Sequence, residues 1–238
     1  TDSLIDLVTW SQPEEELYQV KIQLNDKFWG YDTYYKGNTF FLEIIKPPEN
    51  VRRIKDKIIV IDPGHSPDPG SIGPTGYTEA EANLGIALVL KQKLETRGAK
   101  VIMTRMEAAN VSLYDRPIIA KLNNADIFVS VHNNALPDGV NPYKNNGTST
   151  YYYHPHSIHL GRSIHKEMLQ ATGLPDHGFY HGNLAVNRPT QYPAVLVECA
   201  FMIIPEQEQM LKTESFRRKV ADAITRGIEN FLKDFNRE

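Results

Sequence analysis

The sequence predicts an α/β protein with a largely parallel sheet, preceded by a short segment of antiparallel strands. From about residue 57 onward, short apolar runs alternate with helix-period stretches, the pattern of strands and helices in layers. Several of those runs, "KIIVID", "DIFVSV" and "AVLV" among them, are apolar at nearly every position, as strands covered on both faces are. Before residue 50 the text changes to apolar and polar residues in alternation, as in "YQVKIQL", the mark of strands with one face in water. A chain of 238 residues with 41% hydrophobic content can build one large domain, or one domain with a small appendage.

In chain order, "YQVKIQL" at residues 18–24 and "NTFFLEII" after "YYKG" read as two or three short strands of a hairpin segment within residues 1–50. A lone hairpin is marginally stable, so this segment is expected to be either the remnant of an upstream β domain or an appendage docked on the downstream domain. "KPPENVRRIKDK" reads as a polar, proline-marked linker ending near residue 56, and the second domain is expected over 57–238. There "KIIVID" is a strand, and "EAEANLGIALVLKQKLETRG" is a helix with Ala82, Ile86, Leu90 and Leu94 on one stripe and Gly98 as its stop. "AKVIMT" is a strand, "SLYDRPIIAKLNNA" a helix, "DIFVSVH" and "STYYYH" strands, "SIHLGRSIHKEMLQATG" a helix and "AVLVE" a strand. The last helix spans roughly residues 216–235, with Val220, Ile224, Ile228, Phe231 and Phe235 facing the sheet.

Composition excludes several classes of function. A net charge of -3 provides no basic field for nucleic acid. The longest apolar runs are strand-sized, far short of the roughly 20 residues that span a bilayer. The single cysteine, Cys199, rules out an internal disulfide framework and a four-cysteine zinc site, and reads as a small buried packing residue. The opening "TDSLIDLVTW" has neither an initiator Met nor a signal peptide, as expected of a trimmed or processed chain.

Three of the strands end in an ionisable residue: "IIVIDPGH" at His65, "DIFVSVH" at His132 and "VLVE" at Glu198. Ligands of open α/β sheets bind outside the carboxyl ends of the strands, so these side chains are expected to meet in one crevice. In "GYTEAEANL", Thr78 suits an N-cap, which places Glu79 in the first helical turn at the same end of the sheet; Glu81, on another helix face, is the rival. Two histidines and a carboxylate with a fourth position open form a recurrent catalytic zinc set, suited to a hydrolase. Glu198 would then accept the proton of the water that attacks. Each residue also has a plainer reading: a lone strand-end histidine is a hydrogen-bonded structural residue, Glu79 and Glu81 are favourable charges at a helix N-terminus, and "DPGHSPDPGSIGPTG" is a Gly/Pro loop. The histidines of "HPHSIH", "HKEM" and "HGFYH" are expected to be solvated or at the rim.

"IVIDPGHSPDPGSIGPTGYTEAEANLGIA", "VIMTR", "SLYDR", "NNADIFVSVHNNA" and "PAVLVECAF", in register from about residue 57 to the C-terminus, resemble the zinc-dependent N-acetylmuramoyl-L-alanine amidases of the amidase_3 type. The resemblance implies a twisted, mostly parallel sheet flanked by helices. It also implies one Zn²⁺ per chain held by His65, Glu79 and His132, with Glu198 as the catalytic base, and so favours Glu79 over Glu81. The implied substrate is peptidoglycan, cleaved between N-acetylmuramic acid and L-alanine of the stem peptide with a zinc-bound water. That polymer lies outside the membrane, so a periplasmic or extracellular location is implied, with peptidoglycan as the partner and no protein activator named by the sequence.

The chain departs from the family's pattern in three places. Ala200 stands where a Gly is common in the last motif, and no Ser-Asn pair comes after Phe201, which changes the loop beside the site. Ser66-Pro67 replaces glycines and is expected to stiffen the metal loop. Only "ALPDGVNPYKNNGT" separates His132 from the next strand, too short for the helical plug some members carry, so the cleft is expected to be open. The rival readings are a zinc peptidase or a deacetylase acting on the same polymer, and a non-catalytic wall-binding module.

Overall fold

The computed structural model describes residues 4–137 and 139–235. Its core is a six-stranded sheet in the order β6-β5-β7-β10-β8-β9, built from β5 (Ile58–Pro63), β6 (Lys100–Met103), β7 (Ile127–Asn134), β8 (Thr148–Tyr152), β9 (Asp176–His181) and β10 (Ala194–Phe201). Four of the five pairings are parallel, and only β8 runs antiparallel to β10. Because side chains alternate along a strand, each covered strand serves two cores. Ile59, Ile61, Val129, Val131, Val195 and Val197 face α1 (Glu79–Thr96), α3 (Ile158–Thr172) and α5 (Glu214–Asp234). Val60, Phe128 and Leu196 face the other way, toward Ala120 of α2 (Asp115–Leu122) and Val186. The mostly parallel sheet with helices on both faces is the architecture the sequence implies.

Local sequence sets most element ends. Thr78 caps α1, its hydroxyl accepting from Glu81 N at 3.2 Å while the Glu81 carboxylate accepts from Thr78 N at 3.0 Å, a complete capping box. At the other end, Gly98 takes a φ of +84°, a conformation glycine adopts without cost. The helix α2 is shorter than its apolar spacing suggests: Pro117 has no N–H to give and is tolerated only in a first turn, so the helix begins at Asp115. Two elements do not stand out in the sequence. β9 contains Gly178 at φ +135° in "DHGFYH", and α4 (Pro205–Lys212), with proline at its first position, is a short polar helix.

The N-terminal segment is richer than the two or three strands expected. β1 (Ile5–Glu14) pairs with β2 (Leu17–Leu24), and β3 (Gly30–Lys36) with β4 (Thr39–Ile45), forming two separate hairpins. The register of β1 slips between Ser11 and Glu14, next to Pro13, and this interrupts the alternation that would reveal a strand. The second hairpin is docked. Trp29 is buried against Phe231 and Phe235, with ring centroids 5.4 and 5.1 Å away, and its indole N–H donates to Asp126 O at 2.7 Å. Tyr31 N donates to Thr190 O at 2.8 Å, and Lys121 pairs with Asp32 at 2.7 Å. The first hairpin instead leaves Leu7, Val8 and Trp10 exposed.

Truncating a buried tryptophan costs about 3–5 kcal/mol. Trp29→Ala is therefore expected to lower the urea midpoint by that equivalent, since it removes both the packing on α5 and the bond to Asp126; a midpoint unchanged from wild type would show that the hairpin adds nothing to the core.

Candidate metal centre

Four side chains meet at the carboxyl ends of the central strands. His65 lies two residues past β5, Glu79 opens α1, His132 lies on β7, and Glu198 lies on β10 directly beside His132 in the parallel register. Glu79 Oε1 stands 3.0 Å from His65 Nε2 and 2.9 Å from His132 Nδ1. One ligand atom from each of these three residues lies within 4.8 Å of the others, and the imidazole rings cross edge to face at 4.9 Å. Glu81, the rival carboxylate, is committed to the cap of α1 and stands outside the cluster.

Glycine makes this approach sterically possible. A Cβ on Gly64 would lie 2.2 Å from the His132 ring, and one on Gly70 would lie 2.6 Å from Glu79 Oε2. The loop between them is unusual, because His65 and Ser66 adopt φ values of +64° and +77°. Such conformations cost energy for residues with a side chain and persist only where the surroundings enforce them. Here the enforcement comes from two buried arginines. Arg116 donates to Asp62 Oδ1 at 2.7 Å, to Pro63 O at 2.9 Å and to His65 O at 2.6 Å. Arg105 donates to Pro63 O, Gly64 O and Ala80 O at 2.8–2.9 Å, tying the loop to the first turn of α1. Thr104 and Ser130 complete the shell of Asp62 at 2.6 and 2.7 Å.

Asp68 supplies a further contact: its Oδ1 lies 2.6 Å from His65 Nδ1 and accepts from Gly70 N at 3.0 Å. A carboxylate on the far nitrogen of a histidine fixes which tautomer is presented and where the ring points. Asp62, Asp68, Arg105 and Arg116 are not singled out by sequence reasoning, although three of them sit inside the motifs "DPGHSPDPG" and "SLYDR" and the fourth ends "VIMTR". A charge whose role is set by its partner is recognisable only once that partner is known.

The electrostatics divide the two carboxyl groups. Burial would raise the pKa of Glu79, but hydrogen bonds from His132 and His65 outweigh it and hold the group well below the usual carboxylate range. Burial would lower His65, yet Glu79 and Asp68 overcome that and hold its pKa up at about 9, so a cation entering the cluster displaces a proton. Glu198 goes the other way: burial pushes it up to about 7, with the nearby Glu79 adding to the rise and His132 opposing it. Its Oε2 is buried and lacks a hydrogen-bond partner among the described residues. The cluster opens on a cleft of about 350 Å³ with an apolar wall of Val111, Leu113, Leu184, Val186 and Leu196. Between β7 and β8 the described residues form only one short 3-10 turn, Pro142–Lys144, and no plugging helix. Cys199 is buried, as expected of a packing residue. His165 departs from the expectation of a solvated or rim histidine: it is buried, 2.9 Å from Asp176 and 3.3 Å from Thr150 Oγ1, because α3 lays that face on β8 and β9.

Two imidazole nitrogens and a carboxylate oxygen, with an orphaned buried carboxylate oxygen next to them, form a donor set suited to a divalent metal. Fold and site together define an α/β protein with a His-Glu-His cluster suited to a metal ion at the carboxyl edge of its sheet. Residues 59–230 match the family model described as N-acetylmuramoyl-L-alanine amidase, and the chain belongs to that family. A probable cell wall amidase, LytH of Staphylococcus saprophyticus, is 32% identical over 188 residues, 78% of this chain and 62% of LytH. The chain thus matches about three fifths of the length of that relative. Among solved structures, the N-acetylmuramoyl-L-alanine amidase of Clostridium difficile 630 is similar with a TM-score of 0.70 at 30% identity, covering 75% of this chain and 97% of that one. The catalytic domain of CwlV, an N-acetylmuramoyl-L-alanine amidase of Bacillus (Paenibacillus) polymyxa, has a TM-score of 0.69 at 35% identity over 74% of this chain and 98% of that one.

Removing a carboxylate that orients a metal-ligating histidine typically costs about 10–100-fold in metal affinity. Asp68→Asn is expected to weaken divalent-metal binding by that factor, measured by competition with a chromogenic chelator, whereas an unaltered constant would mean that the backbone alone aims His65.

Proposed function

We propose that this chain hydrolyses the amide bond between N-acetylmuramic acid and L-alanine of peptidoglycan stem peptides, with one Zn²⁺ held by His65, Glu79 and His132 and with Glu198 as the general base. The observation that carries the reading is the three-residue ligand cluster with a buried, partnerless carboxylate oxygen beside it, in a chain of the amidase family. Bound at these residues, zinc would supply Lewis-acid polarisation of the lactyl carbonyl and would lower the pKa of water toward roughly 7.

The protein's own groups do the rest. Glu198, with a pKa of about 7, accepts a proton from the attacking water at neutral pH and returns it to the departing alanine nitrogen, the match of pKa to working pH that general acid–base catalysis needs. Glu79 stays ionised as a ligand because its pKa is held low. The aliphatic wall of the cleft, with Leu184 and Leu196, gives the substrate an apolar surface beside the reacting bond. Catalysis belongs to residues 57–238, with residues 1–50 as an appendage. Peptidoglycan lies outside the membrane, so the site of action is the periplasm or cell exterior; no helix among the described residues is long and apolar enough to cross a bilayer.

The test is product analysis on purified peptidoglycan with the zinc-loaded chain. Intact stem peptides with a free L-alanine N-terminus are expected, together with loss of activity on chelation and its return with zinc. Shortened peptides would instead identify a peptidase, and acetate a deacetylase. Glu198→Gln is expected to keep its zinc and lose about 10²–10⁴ in kcat; turnover near wild type would remove Glu198 from the base role.

The working form of Glu198 is the carboxylate, so kcat should rise with pH up to its pKa and level off above it. A bound cation favours the ionised form, which places the acid limb at or below about 7. A pH–rate profile with no acid limb between about pH 4 and that value would contradict the assignment.

A further inference from the structure

The β8–β10 pairing sets Ser149 directly opposite Glu198. Opposed residues of an antiparallel pair project to the same face with Cβ atoms about 4.5–5.5 Å apart, so the Ser149 hydroxyl is the neighbour of the Glu198 side chain across the ladder. Ser149 is fully buried, and its hydroxyl sits beside the Tyr151 phenol, the next side chain on that face of β8. The hydroxyls on either side of it are used: Thr148 Oγ1 donates to Cys199 O at 3.0 Å, and Thr150 Oγ1 lies 3.3 Å from His165 Nδ1. Glu198 Oε2, buried without a partner among the described residues, therefore shares a register pair with a buried hydroxyl.

The terminal torsion of a glutamate is broad, so a carboxylate without a fixed donor swings through a wide arc. One oxygen of a general base must face the reacting water, and a donor on the other oxygen holds the plane of the group. His65, Glu79 and His132 approach Glu198 from the metal side, and Tyr151 approaches from β8. Of the β8 side chains, Ser149 is the one paired with Glu198 in register.

We propose that Ser149 is a positioning residue for Glu198: its hydroxyl donates to the carboxylate during turnover, directly or through one water, and aims the other oxygen at the reacting water. This inference rests on the amidase reading for its substrate but not for its geometry, and the experiment separates the two. Ser149→Ala in the full zinc-loaded chain is expected to lower kcat about tenfold, the scale on which small misplacements of a catalytic group act. KM should stay within about twofold, with the zinc content unchanged, because a truncation-type loss confined to kcat marks an interaction made in the transition state. An unchanged kcat, a rise in KM alone, or a loss of zinc alongside kcat would each overturn the proposal.

Acetohydroxamate provides a readout independent of peptidoglycan. Its acidic O–H proton must pass to a base as it binds a metal site, so Ser149→Ala should weaken its binding several-fold and Glu198→Gln should weaken it further. Weakened hydroxamate binding in a chain that leaves peptidoglycan intact would retain Ser149 and refute the amidase reading. Equal hydroxamate affinity in wild type and Ser149→Ala, with peptidoglycan hydrolysed by both at the same rate, would do the reverse.

Discussion

The buried ion pair between Asp62 and Arg116, 2.7 Å long and closed to solvent on both sides, is the contact on which the site geometry depends. A buried pair is poor evidence for net stability, since desolvating both charges offsets their attraction. Its value here is directional. Nη1 of Arg116 donates to both Asp62 and the carbonyl of Pro63, which leaves Nη2 to reach the carbonyl of His65, while Arg105 takes those of Gly64 and Ala80. These bonds keep His65 in a left-handed conformation and hold its loop against the start of α1, where Glu79 waits. A lysine at either position would supply charge without the planar fork that engages several carbonyls together.

Around this frame two carboxylates a few residues' width apart acquire opposite properties. Glu79 receives two imidazoles and the amide of Asn133, at 3.1 Å, and remains an anion. Glu198 receives none of these and is left near neutrality by burial. Environments that push paired acids apart in this way separate a group that binds from a group that trades protons. The sheet makes the division possible: the parallel register of β7 and β10 sets His132 beside Glu198, so the proposed ligand and the proposed base are neighbours on separate strands.

Much of this arrangement is legible in the sequence, for identifiable reasons. α1 announces itself through Thr78, Glu81 and Gly98, whose capping roles are local, and β7 and β10 through apolar runs that only a covered strand tolerates. His65, His132 and Glu198 are readable because strand ends in an open sheet share one edge. Elements whose identity depends on partners are not readable. β9 is an edge strand with a positive-φ glycine, and α2 is cut short by Pro117. Asp68 matters through a loop closure three residues long, Arg105 and Arg116 through carbonyls distant in the chain, and Ser149 through a register that no periodicity encodes.

The strand order carries a consequence for timing. β10 comes last among the strands in the chain yet sits at the centre of the sheet, between β7 and β8. Residues emerging from synthesis or from an export channel arrive N-terminus first, and the segment holding His65, Glu79 and His132 precedes the strand holding Glu198 by more than sixty positions. A chain without β10 carries His65, Glu79 and His132 but not Glu198, and its β8 lacks the strand that joins it to β7. On the proposed function, the ligand set and the acid beside it come together only when the final strand lies between β7 and β8, so a nascent or truncated chain lacking β10 would hold the ligands without the group that completes them.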